Sequence, residues 1–179
     1  MKINSYIKEV SKEEAIKIAN NKGNIIGKML LKDKDISTVK SLYIENKIIT
    51  LNMTHQPNII TKSIFKKDSS KKQKITLIAD GSTGGVAYYE SGPQKESINI
   101  LEDEVQMSAY EDDVLIEKAK RLARRIVRKQ IGGNVSLELV SIESIFRPFY
   151  VAFYGELKEG TKIRYLPIAA DGCRSKRTC

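Results

Sequence analysis

Apolar positions recur with two different periods along this chain of 179 residues. Ser11-Lys12-Glu13-Glu14 has the form of a capping box, in which a hydroxyl accepts from the third helical amide and the glutamate reaches back. Ala15, Ile18 and Ala19 follow as a short apolar stripe, and Asn21-Lys22-Gly23 supplies a left-handed stop, so a short helix is expected here. From Val39 the texture becomes strand-like, through Leu42, Ile44, Ile48, Ile49, Leu51 and Met53, with Glu45-Asn46-Lys47 as a turn or bulge. Pro57-Asn58 breaks the run, 59–65 resumes it, and 66–74 forms a Lys-rich hairpin. Lys74–Ala79 returns as a strand. Asp80-Gly81-Ser82-Thr83-Gly84-Gly85 is a turn in which Gly81 or Gly84 takes a positive φ, and Val86–Tyr89 leaves it as a further strand.

Gly92-Pro93 opens a linker, and Glu96 to Asp113 holds seven acids without a Lys or Arg. Ser108-Ala109-Tyr110-Glu111 reads as a second capping box, and the acids after it suit the positive end of a helix dipole. Leu115, Ala119, Leu122 and Ile126 recur at spacings of 4, 3 and 4, with Ala123 and Val127 widening the stripe, which predicts an amphipathic helix over 112–131 ended by Gly132-Gly133. Three strand-like segments follow, Val135–Ser141, Phe149–Tyr154 and Lys162–Ala170, the last two joined by a hairpin over Gly155–Gly160. Asp171-Gly172 closes the last strand, and Cys173–Cys179 is a short basic tail.

Ile78-Ala79-Asp80-Gly81 thus returns as Ala169-Ala170-Asp171-Gly172, each time after a helix, a long apolar strand and a hairpin. The expected fold class is α+β, with two helix-plus-antiparallel-sheet units arising by internal duplication, 1–95 and 96–179. The segment Ile75–Gly84 resembles the closing strand and turn of PepSY-type modules, which are similar to the cystatin-like fold. Asp80, Thr83 and Gly84 fall on the Asp-x-x-Thr-Gly positions of that family. In the second copy only Asp171 carries over, because Arg174 and Ser175 stand where Thr and Gly would be. The resemblance implies a non-enzymatic module that binds or restrains partner proteins, often peptidases, and is usually extracytoplasmic. The segment Met1–Glu9 has no apolar run of signal-peptide length, so no membrane association and a cytoplasmic location are expected instead.

Composition adds a charge argument. Hydrophobic residues make up 41% and charged residues 30%, which argues against general disorder. The net charge is +9, and all eight arginines lie in the second half. A basic chain favours polyanionic partners, although a Lys-, Ile- and Asn-rich composition also follows from an AT-rich genome. Cys173 and Cys179 make no disulfide framework and read as free thiols. His55 is the sole histidine, so no metal site, cofactor or catalytic constellation is expected, and Asp80 and Asp171 read as turn formers rather than paired acids. Gly81–Gly85 lacks the Gly-Lys-Ser/Thr ending of a phosphate loop and is followed by a strand. One surface stands out: Lys118, Arg121, Arg124, Arg125 and Arg128, with Lys129 beside them, gather on one side of the second helix as a face for an anionic partner, or simply as a solvated helix surface. The leading expectation is a non-catalytic protein-binding or regulatory module acting through a sheet surface or strand edge. The alternative is nucleic-acid binding through the face of helix 112–131 and the hairpin 66–74.

Overall fold

The computed structural model describes residues 1–21, 35–56, 72–130, 134–155 and 163–172. In chain order these form β1 (Lys2–Tyr6), α1 (Lys12–Asn20), β2 (Ile36–Gln56), β3 (Lys72–Asp80), β4 (Val86–Tyr88), β5 (Lys95–Asn99), a 3₁₀ turn (Glu102–Glu104), β6 (Val105–Gln106), α2 (Asp112–Gln130), β7 (Asn134–Tyr154) and β8 (Arg164–Ala169). The fold is α+β: a mixed sheet of eight strands with two α-helices among the described residues. The parts read in the sequence at Lys22-Gly23, 57–71, Gly132-Gly133, 156–162 and Cys173–Cys179 lie outside the described residues.

Two compact units emerge, and each draws on both halves of the chain. The first combines described residues of Met1–Glu45, Pro93–Met107 and Ile145–Lys176. Here β1 runs antiparallel to β5 from Lys2↔Asn99 to Tyr6↔Lys95 and touches β7 in parallel at Ser5↔Phe146. β6 pairs in parallel with β2 at Tyr43↔Val105, and β7 pairs antiparallel with β8 from Phe149↔Ala169 to Tyr154↔Arg164. The Ser11 capping box forms as expected, with the Glu14 amide on Ser11 Oγ at 3.2 Å and the Ser11 amide on Glu14 Oε2 at 3.0 Å. Ala15 and Ala19 then bury against Tyr150, Ala152, Tyr154, Ile168 and Ala170. Two alanines suffice because a small side chain lets the helix backbone approach the aromatic strand face closely.

The second unit combines described residues of Asn46–Gly92 and Ser108–Ser144. β2 pairs antiparallel with β3 from Asn46↔Asp80 to Thr54↔Lys72, and β3 with β4 at Leu77↔Tyr88 and Ala79↔Val86. Leu115, Ile116, Ala119 and Ala123 of α2 close over Ile49, Leu51, Ile75, Leu77 and Ala79. The buried seam is Leu115, Ala119, Ala123 and Val127, while Leu122 and Ile126 sit at its half-buried margin.

Three sequence expectations are corrected here. Glu45-Asn46-Lys47 is not a turn, because β2 continues through it, with Glu45 and Asn46 both buried. The separate strands Val135–Ser141 and Phe149–Tyr154 are one strand, β7. The polar residues that suggested breaks are satisfied by distant partners: Lys47 Nζ donates to Ser144 Oγ at 3.1 Å and pairs with Asp112 at 3.1 Å. Ser108 does not head a capping box, because its hydroxyl closes a turn on Tyr110, accepting that residue's amide at 3.1 Å, and the helix begins only at Asp112. Strands β1 and β5, absent from the sequence expectation, pair with each other across 89 to 97 residues of chain, and neither carries a long apolar run.

Candidate functional site

The turn between β3 and β4 is built by its own side chains. Asp80 Oδ1 accepts from the Ser82 amide at 2.8 Å, the Ser82 hydroxyl at 2.7 Å and the Thr83 amide at 2.9 Å. Burial alone would raise the Asp80 carboxyl; the hydrogen bonds from Ser82 and Thr83 outweigh it and hold the group below the usual carboxylate range. The Gly84 amide returns to the Asp80 carbonyl at 2.8 Å, and Gly84 takes φ +65°. The remaining amides are also engaged, Gly81 on Asn46 Oδ1 and Gly85 on Thr83 Oγ1. With every amide of Gly81–Gly85 already donating, this turn is not a phosphate cradle.

Helix α2 and its entry hold that turn in place. The Ala109 amide donates to the Gly81 carbonyl at 2.8 Å, and the Tyr110 hydroxyl donates to the Thr83 carbonyl at 3.1 Å. Lys118 Nζ donates to the Gly84 carbonyl at 3.1 Å and lies over the Tyr110 ring, 4.3 Å from its centre. Beside this clasp is an open groove of about 400 Å³ lined by Gly84, Val86, Lys118, Arg121, Leu122 and Arg125.

The five cations singled out in the sequence therefore differ in role. Lys118 is committed to the turn, and Arg124 is half-buried. Arg121, Arg125 and Arg128 are exposed on one face at i, i+4 and i+7. Among the described residues no carboxylate lies within ion-pair distance of these three; Glu117 is taken by Lys120 at 2.8 Å. That hydrogen bond and the charges of Lys120, Arg124 and Arg121 hold the Glu117 carboxyl below its ordinary range. The side chain of Lys129 lies outside the described residues, as does most of the hairpin 66–74.

The second Asp-Gly pair is built differently. Gly172 takes φ +71°, and Asp171 is buried against Arg147, which sequence reasoning had not linked to it. Arg147 sits near the register position opposite Asp171 if the β7–β8 ladder is extended by two residues, and that spacing is the signal that could have found it. Tyr110 was missed because its partners are set by folding rather than by spacing. The His55, Cys173 and Cys179 side chains lie outside the described residues; among those described, no group of three or more His, Cys, Asp or Glu side chains could hold a metal ion. No helix of the described residues is long and apolar enough to cross a membrane. No protein-family model matches the chain, and no curated protein or solved structure matches it significantly.

Proposed function

We propose that the chain is a non-catalytic binding module whose α2 face engages the phosphates of a nucleic acid. One observation carries this reading: Arg121, Arg125 and Arg128 expose three guanidiniums on one helix face with no carboxylate partner among the described residues, and two of them border an open groove. A guanidinium fork matches phosphate oxygens in geometry as well as charge. The test is a fluorescence-anisotropy titration with labelled oligonucleotides over a range of salt. Binding whose salt dependence flattens when all three arginines become Gln supports the reading. A parent protein without measurable affinity at low salt, or a triple variant with the parental slope, rejects it.

A second reading, protein binding through a strand edge, is favoured by β8. It pairs only with β7 among the described residues, and Ile163 and Tyr165 beside and on it are exposed. Pro167 removes one donor from that strand and so guards it in part. A pull-down from native lysate that recovers only nucleic acid counts against this reading.

We also infer an internal duplication of cystatin-like units, in keeping with the PepSY resemblance of 75–84. What supports it is that in each half a helix is followed by a 21-residue strand and then by a strand that runs into Asp-Gly. The entry to each helix also donates an amide to the strand end of the other half: Val10 to Ala170 at 3.0 Å, and Ala109 to Gly81 at 2.8 Å. Separately produced 1–95 and 96–179 should each lack the native circular dichroism and regain it on mixing; two independently folded halves would refute the exchange.

A further inference from the structure

The side of β4 that faces α2 carries Val86 and Tyr88. Alternation places both on one face, and the register agrees, since they stand opposite Ala79 and Leu77, both fully buried beneath α2. Val86 lines the groove, whereas Tyr88 is 52% exposed. Among the described residues the Tyr88 ring meets no other ring and no cation, and its hydroxyl holds no hydrogen bond. β4 has a neighbouring strand on one side only, among the described residues, so Tyr88 stands on the last strand of this face. The surface therefore combines a free aromatic plane, an apolar floor of Val86 and Leu122, and the guanidiniums of Arg121 and Arg125.

Building on the nucleic-acid reading above, we propose that this groove takes a single-stranded oligonucleotide, with successive phosphates on Arg121 and Arg125 and one base stacked on Tyr88. One turn of helix sets the two arginines about 6 Å apart along the axis, a step that neighbouring phosphates of an extended strand can follow. An aromatic plane is of use only to an unpaired base, because a duplex keeps its base faces stacked inside. A groove of about 400 Å³ suits one or two nucleotides rather than the width of a double helix.

The experiment uses the full chain, a labelled twelve-nucleotide oligothymidylate, a duplex of the same length, and heparin as a polyanion without bases. The expected result is single-strand binding about tenfold tighter than duplex binding at moderate salt. Tyr88→Ala should weaken single-strand binding about tenfold without altering its salt slope, and Tyr88→Phe should restore it. Arg121→Gln/Arg125→Gln should flatten that slope by roughly 1.4, from about 0.7 per phosphate on a single strand. Tyr88 is exposed and outside the core, so loss of fold is not the expected cause, and circular dichroism of each variant checks this. Duplex or heparin bound as tightly as the oligothymidylate, or a Tyr88→Ala variant with parental affinity, overturns the single-strand proposal and leaves phosphate binding by α2 standing. Absence of binding to all three probes overturns both.

Discussion

Arg147 donates from Nε to Asp171 Oδ2 at 2.6 Å and from Nη2 to Oδ1 at 3.2 Å. The Asp171 side chain is wholly enclosed and that of Arg147 is 14% exposed. This pair fixes the end of β8 to β7, where the Ala170 amide also donates to the Pro148 carbonyl at 2.9 Å. The Ala170 carbonyl in turn accepts the amides of Glu9 and Val10, so the entry to α1 rests on the same spot.

Removing one partner leaves a buried charge without its main counter-charge. Arg147→Met should cost about 3–5 kcal/mol. Adding Asp171→Asn to that variant should recover part of the loss, because the remaining group is no longer ionised. Urea denaturation of the three proteins checks this. A single variant within about 1 kcal/mol of the parent would show that the pair contributes little.

Gly84→Ala should destabilise the second unit by about 2 kcal/mol or more. The backbone there is left-handed, which costs an L-residue about 1–2 kcal/mol. A Cβ would also stand 2.8 Å from a Tyr110 ring carbon and against the Lys118 ammonium. Gly85→Ala is the control, since its Cβ would meet only Thr83 Oγ1 at 3.3 Å and no positive φ is involved. Thermal melts of the two variants should differ clearly, with Gly84→Ala the lower.

What could be read from the sequence was local. The Ser11–Glu14 box and the Asp80–Gly85 turn need only residues a few positions apart, and both form. The apolar seam of α2 was legible by period, although its centre lies one residue round from Leu122, on Ala123. Polar residues in mid-strand misled because their partners are remote: nothing near Lys47 in sequence announces Ser144 or Asp112. Strand β1 shows the same limit, since its pairing with β5 is decided by tertiary structure rather than propensity. In the candidate site the arginine spacing was legible, and the commitment of Lys118 to Gly84 and Tyr110 was not.

Asp80 gives a pH-dependent contribution of definite sign. Its folded carboxyl titrates below the unfolded value, so its ionised form stabilises the fold above about pH 4. That stability fades as pH falls through the folded pKa. Asp80→Asn keeps an oxygen for the Ser82 and Thr83 amides and loses the charge. The parent should therefore be the more stable protein at pH 7, and the gap should close below about pH 4. A gap that stays constant from pH 7 to pH 3 would mean the turn does not depend on the carboxylate charge.

The cations of α2 should separate in stability measurements. Arg121, Arg125 and Arg128 are exposed without an ion partner among the described residues, so replacing all three by Gln should change stability by no more than about 0.5 kcal/mol. Fewer like charges on a chain of net charge +9 would favour a slight gain. Lys118→Met keeps the aliphatic stem and removes both the hydrogen bond to the Gly84 carbonyl and the contact with the Tyr110 ring. A hydrogen bond from a charged donor and a cation–π contact together should cost about 1–2 kcal/mol. Chemical denaturation of the two variants provides the comparison. Equal effects would erase the distinction between a clasp and a binding face. A large loss from the arginine triple variant would make that face structural and remove the surface on which nucleic-acid binding depends.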